Sequence, residues 1–151
     1  KMWMDFISKI SEVEEKYGNS VNSGVPNTVF SALMKKHNVW PNDEVMEDYK
    51  RFLSQVNGID FNGFILYGIS QKTNPDIIDE DVYDIFEMNI IWHEESSNNS
   101  YFFLGESGMS WYVYDTFDRV YKELDLPSGD LVNKYSTLDD FLESVLKTAL
   151  N

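Results

Sequence analysis

His37 and His93 are the only imidazoles in a chain that has no cysteine, so general-base, thiol and soft-metal chemistry have few carriers. Neither histidine stands at a metal-ligand spacing or near a serine in a strained elbow. His37 falls at the expected end of a helix, where an imidazole complements the dipole and the free carbonyls. His93 precedes Glu94 and Glu95, a setting that can tune a base, but with no accompanying motif it reads as a structural histidine. Carboxylates are more plentiful. Asp76, Asp79, Glu80, Asp81 and Asp84 resemble the oxygen-rich clusters that hold calcium, yet the glycine and closing glutamate of an EF-hand loop are missing. Nothing singles out a pair of acids for glycoside hydrolysis. Gly105-Glu106-Ser107-Gly108 lacks the Lys-Ser/Thr and the following helix of a phosphate loop. It reads as a hairpin turn whose glycines take backbone angles that a Cβ resists. The expectation is a protein with no catalytic residues, no metal site and no cofactor.

The distribution of charge is more informative than any motif. Between Lys72 and Arg119 there is no lysine or arginine, while eleven residues from Asp76 to Asp118 are acidic. The same stretch carries Tyr83, Phe86, Trp92, Tyr101, Trp111, Tyr112 and Tyr114, residue types that anchor interfaces when exposed. Most of them are expected in the core, with two or three at the surface. The residues expected to meet a partner are Asp79, Glu80, Asp81, Asp84, Glu94, Glu95, Glu106, Trp111 and Tyr112.

These residues need elements to hold them. Trp3, Phe6, Ile7, Ile10, Val13 and Tyr17 recur at helical spacing before Gly18, which predicts an amphipathic helix. A polar loop leads to a short second helix carrying Val29, Phe30, Leu33 and Met34, capped by Asn27 or Thr28. Asn42 or Asp43 caps a third helix with Val45, Met46, Tyr49, Phe52, Leu53 and Val56 on one face, ended by Asn57-Gly58 in the left-handed conformation. The run Phe64 to Ile69 predicts a buried strand. Within residues 78 to 93, Ile78, Val82, Ile85, Phe86, Asn89 and His93 follow helical spacing, which favours a helix, although Ile90-Ile91-Trp92 would also suit a strand. Three strands follow, Tyr101 to Leu104, Trp111 to Tyr114 and Val120 to Leu124, with short connections that favour antiparallel neighbours. The last helix opens with the capping pair Thr137 and Asp140 and turns Leu138, Phe141, Leu142, Val145, Leu146, Ala149 and Leu150 inward. Strands segregated in this way predict an α+β fold with a mostly antiparallel sheet, as one domain over residues 1–151.

With 151 residues, 42% of them hydrophobic and 15% aromatic, the chain has the apolar mass for one core. No segment reaches the length and apolarity of a membrane span. The expectation is a soluble, cytoplasmic protein, with a start at Lys1 that suggests trimming. Its 26 acidic and 12 basic residues give a formal charge of −14, which repels phosphate backbones and anionic membranes. Direct nucleic-acid and membrane binding are therefore not expected. A basic protein is the natural complement.

Several fragments together resemble one family. They are Phe52-Leu53-Ser54-Gln55-Val56-Asn57-Gly58, Gly63-Phe64-Ile65-Leu66-Tyr67-Gly68, Asn89-Ile90-Ile91-Trp92, Phe103-Leu104-Gly105-Glu106-Ser107-Gly108 with Tyr112-Val113-Tyr114-Asp115, and the helix opening at Thr137. In order and spacing the chain resembles the SUKH superfamily, and within it the YrhA-like branch, over roughly residues 27 to 150. The resemblance implies an α+β fold and a role as a bacterial immunity protein that neutralises a secreted polymorphic toxin, often a nuclease. Eukaryotic relatives are regulatory scaffolds of cell-wall assembly, which makes a regulatory scaffold the alternative, with an acidic-residue hydrolase as a third reading. The chain departs from the pattern at Ser110-Trp111, where many relatives carry a glycine–aspartate pair. The family supplies no catalytic residues.

Overall fold

The antiparallel meander expected from the second half of the chain is present, and it extends further at both ends than the apolar pattern indicated. The computed structural model describes residues 1–36, 41–78 and 81–151. The expectations for His37, Asp79, Glu80 and the side chain of Met34 lie outside the described residues. Among the described residues, six strands pair in chain order: β1 (Ile59–Phe61), β2 (Phe64–Leu66), β3 (Tyr101–Glu106), β4 (Ser110–Asp115), β5 (Val120–Asp125) and β6 (Leu131–Tyr135). Every neighbouring pair is antiparallel. The described residues also form five α-helices: α1 (Met2–Lys16), α2 (Asn27–Lys36), α3 (Asp43–Gln55), α4 (Ile85–Trp92) and α5 (Leu138–Leu150). The fold is α+β with an antiparallel sheet.

Caps and turns set these boundaries. The Asn42 side chain accepts from Val45 N at 2.8 Å and starts α3. Thr137 Oγ1 accepts from Asp140 N at 3.1 Å and starts α5. β1 was not expected from the sequence. Asn62 and Gly63 both take positive φ, 51° and 81°, and form the tight turn that folds Ile59–Phe61 back on Phe64–Leu66. β6, also unexpected, is exposed along four of its five residues and is a strand because it pairs with β5.

Two corrections concern the glycines. In Asn57-Gly58 only Gly58 has positive φ, at 75°, and α3 has already ended at Gln55. Gly105 is a residue of β3 rather than of the turn; a Cβ there would lie 2.2 Å from the Ile65 carbonyl oxygen, so close strand approach requires glycine. Gly108 meets neither constraint.

The sheet has two differently covered faces. On one, Phe141 of α5 packs against Tyr112, Tyr121 and Tyr135, with ring centroids 5.6 to 5.9 Å apart. α1 lies beside α5, and Trp3 Nε1 donates to Asp139 Oδ1 at 2.8 Å. On the other face, Trp92 at the end of α4 packs on Phe103 and Trp111 at 5.9 and 5.5 Å. α5 buries Leu138, Phe141, Leu142, Val145, Leu146 and Ala149. Each large side chain among them contributes roughly 1.5–3 kcal/mol by leaving water.

Candidate interaction surface

β2 pairs with only the end of β3, at Gly105 and Glu106, and Tyr67 N adds one bond to Leu104 O at 2.8 Å. The start of β3 therefore has no strand beside it on that edge. Helix α4 takes the place of one. Asn89 accepts from Phe103 N at 2.7 Å and donates to Phe103 O at 2.9 Å, so its amide pairs like a strand residue. His93 Nε2 donates to Tyr101 O at 2.6 Å. Four helical residues rise about 6 Å, close to the roughly 6.6 Å of two strand residues. The spacing of Asn89 and His93 on α4 thus matches that of Phe103 and Tyr101 on β3. Asn57 uses the same amide geometry on Ile69, donating to its carbonyl and accepting from its N–H, both at 2.8 Å.

The N-terminus of α4 is tied down as firmly. The helix begins at Ile85, seven residues later than helical spacing suggested, because Asp84 caps it. Asp84 Oδ1 accepts from Phe86 N and Glu87 N at 2.9 and 3.1 Å; Oδ2 accepts from Ser70 N, Ser70 Oγ and Thr73 Oγ1 at 2.9, 3.0 and 2.6 Å. With five donors on one carboxylate and 4% exposure, Asp84 knots the loop after β2 to α4. It was expected on the partner-binding surface, and burial removes it from there.

With its inner side clamped, α4 presents a fixed outer stripe. Glu87, Ile90, Ile91 and Glu94 follow the three-and-four spacing of one helical side. Ile90 is 70% exposed and Ile91 42% exposed. Apart from Glu87 and Asn89 the helix is apolar round its circumference, which a helix packed only against one sheet face does not require. Glu94 and Glu95 are exposed beyond its end, Asp81 before its start. Lys72 pairs with Glu87 at 3.5 Å.

Beside this stripe lies a half-buried aromatic corner. Trp92 Nε1 donates to the Tyr67 hydroxyl at 2.9 Å, and that hydroxyl donates to Glu106 Oε2. Burial first, then the bond to Glu106, push the Tyr67 phenol far above its ordinary value, so it remains a donor. Glu106 stands directly opposite Trp111 across β3 and β4. Trp111 packs on Trp92 and Phe103, and its enclosed Nε1 has no hydrogen-bond partner among the described residues.

The structure therefore sorts the expected site residues. Glu94, Glu95 and, half-buried, Glu106 and Trp111 lie beside α4 and its aromatic corner, whereas Asp81 is exposed in a groove that it shares with Glu14 of α1 and Asp60 of β1. Tyr112 does not: it faces α5 from the opposite side of the sheet, 3% exposed, its phenol pushed up to about 12 by burial. Asp115 and Asp118 leave the continuous acidic surface as well, since Lys122 Nζ reaches them at 2.8 and 2.5 Å. Of the seven aromatic residues noted in this stretch, Tyr83 is exposed, Trp92, Tyr101 and Trp111 are half-buried, and Phe86, Tyr112 and Tyr114 are buried.

Sequence reasoning missed Ile90 and Ile91 as surface residues, and Asn57, Asn89 and Tyr67 as the polar groups that hold the corner. The signal for the first pair was present. Ile85-Phe86 and Ile90-Ile91-Trp92 leave so short a helix, polar only at Glu87 and Asn89, no continuous polar side.

Among the described residues, no group of three acidic, histidine or cysteine side chains stands together as metal ligands would, and no helix is long and apolar enough to cross a membrane. Comparison with known proteins returns no family model, no curated protein and no solved structure that matches the chain.

Proposed function

We propose that the chain is a non-catalytic binding module, an immunity protein of the SUKH type that neutralises a cognate secreted toxin, a nuclease, by stoichiometric association. The observation that carries this reading is the outer stripe of α4. Ile90 and Ile91 are exposed between carboxylates on a helix whose other side is clamped to the sheet. Exposed apolar side chains on a rigid element bind a partner at low entropic cost. The surrounding carboxylates favour a basic partner and speed its approach. A nuclease toxin fits that description, because an active site that holds a phosphate backbone is basic. The resemblance in order and spacing to the SUKH pattern supports the same reading, and so does the acidic balance of the whole chain.

The partner is sought in the gene directly upstream, where an immunity gene follows its toxin. The purified C-terminal domain of that product should form a one-to-one complex with this chain and lose its nuclease activity in it. An Ile90→Asp, Ile91→Asp double variant should fold normally and fail to protect. A toxin domain that stays active and unbound in a stoichiometric mixture would dispose of the reading.

A further inference from the structure

On the sheet face opposite α4, Tyr121 of β5 has its ring beside Tyr114 and Phe141, with centroids 5.1 and 5.6 Å away. It is 3% exposed, and its hydroxyl finds no hydrogen-bond partner among the described residues. Buried hydroxyls without partners are rare because desolvation goes uncompensated. Burial, then the charge of Asp48, raises the phenol well above its ordinary value. Tyr121 thus keeps its proton and offers free lone pairs.

A cavity of about 70 Å³ adjoins it, lined by Glu44, Asp48, Tyr114, Arg119, Tyr121 and Ser136, among others. A surface groove of about 480 Å³ shares Glu44, Tyr114 and Arg119 with it and adds Asp43. Glu44 forms no ion pair among the described residues, and Asp48 has only Arg51, at 3.4 Å, which Asp139 also engages at 3.5 Å. Burial holds the Asp48 carboxyl above the usual range despite that arginine. Acids in the first turn of α3 complement its dipole, which accounts for Asp43 and Glu44 but not for the unmatched hydroxyl.

The geometry points to a site for a primary alkylammonium group, bound between Glu44, Asp48 and the Tyr121 hydroxyl. Such a group carries three donors and a compact charge, matching two carboxylates and one phenol oxygen. Its size suits the inner cavity, which has space for about two water molecules. The Tyr114 ring adds an aromatic wall for the cation. The butyl spacing of a lysine side chain, or of a free diamine, would run out through the groove. Arg119 opposes the ligand. It stands at the mouth with φ of 59°, a left-handed angle unusual for a side-chain-bearing residue, and forms no ion pair among the described residues.

Titration of the ¹⁵N-labelled full chain with Nα-acetyl-lysine methylamide tests the site, with 1,4-diaminobutane as a second arm. The Nε-acetylated compound serves as the uncharged control. Saturable shifts are expected at the amides of Glu44, Tyr121 and Ser136 with the amines and not with the control. Tyr121→Phe and Glu44→Gln should each weaken binding about fivefold or more, the loss of one charge-assisted bond. Arg119→Gln should tighten it about two- to threefold by removing a like charge. Tighter binding of the capped lysine points to a polypeptide source, and tighter binding of the diamine to a free amine. Thermal melts confirm that the variants fold, and Glu44→Gln, at an exposed residue, carries the test if Tyr121→Phe does not. No saturable shift, an equal response to the uncharged control, or loss of binding in Arg119→Gln would overturn the assignment. So would a crystal structure grown with the amine that shows an ordered water only on Tyr121.

Discussion

Helix α5 covers one face of the sheet, α4 closes the free edge of β3 and lays Trp92 on the other face, and the two are held by different means. α5 is amphipathic: its apolar side is buried against aromatic rings and its polar side faces water. α4 has no continuous polar side, only Glu87 outside and Asn89 inside, yet it is attached through polar groups, the Asn89 amide, the His93 ring and the Asp84 carboxylate. Burial alone specifies α5. In α4, directional bonds fix orientation, and they leave Ile90 and Ile91 outside although burying either would have been favourable. The difference separates apolar surface that makes the fold from apolar surface that the fold holds out.

The largest effect should come from α5. Phe141 is fully buried and touches three tyrosine rings. Phe141→Ala should cost about 3–5 kcal/mol, the usual result of opening a cavity at a buried aromatic. Chemical denaturation measures it. A loss below about 1 kcal/mol would mean that the tyrosine face does not need α5, and the contrast between the helices would collapse.

This contrast also explains what could be read in the sequence. Helical spacing locates α1, α3 and α5 because each obeys one local rule, an apolar stripe, to which α3 and α5 add a capping side chain at the start. The α4 corner obeys no such rule. Its boundary depends on Asp84 receiving donors from Ser70 and Thr73, eleven to fourteen residues away, and its pose on Asn89 finding β3. Spacing alone therefore placed Asp84 among exposed acids and extended the helix back to Ile78. β1 was within reach, since Asn62-Gly63 between Phe61 and Phe64, with Ile59 alternating before them, is a strong hairpin signal. The neighbouring Asn57-Gly58 has the same composition, but there the asparagine is a buried clamp on Ile69. Of the surface itself, the sequence showed the acidic stretch and the aromatic residues beside it. Which acids are consumed internally emerges only with the partners of Asp84 and Asp115.

The next effect in size belongs to the clamp. Asn89→Ala leaves the Phe103 N–H and carbonyl buried and unmatched, and should cost about 2–3 kcal/mol. Amide exchange should speed at Phe103 and along α4 while the α5 side stays protected, because the opening is local. Asn89→Leu, of similar volume, should not rescue it. If leucine restored both stability and protection, α4 would be held by packing like α5, and the distinction between them would be lost.

A smaller effect, of opposite character, is expected at the outer stripe. Ile90→Ser with Ile91→Ser should leave stability within about 0.5 kcal/mol, since neither residue is buried. The same pair should weaken a toxin complex at least tenfold, or about 1.4 kcal/mol. Stability and affinity move together if these isoleucines belong to the core, and separate if the stripe is an interface. A melting temperature that falls sharply in the double variant would place them on the folding side of the comparison.

The smallest effect concerns the acids around that stripe, and it bears on rate rather than on affinity or fold. Glu87, Glu94 and Glu95 are exposed, so reversing all three to lysine should leave the fold intact. Rim charges act over distances near the Debye length, about 10 Å at 0.1 M salt, and so alter encounter more than the docked complex. Association with a basic toxin domain should slow several-fold at low salt, its salt dependence should flatten, and dissociation should change little. Glu12, Glu14 and Glu15 on α1 provide the matched control, an equal charge change away from α4. Equal slowing by both sets would assign the effect to net charge. Slowing confined to the α4 set would mark the side from which the partner approaches, the side where Asn89 and His93 hold the helix and Ile90 and Ile91 face solvent.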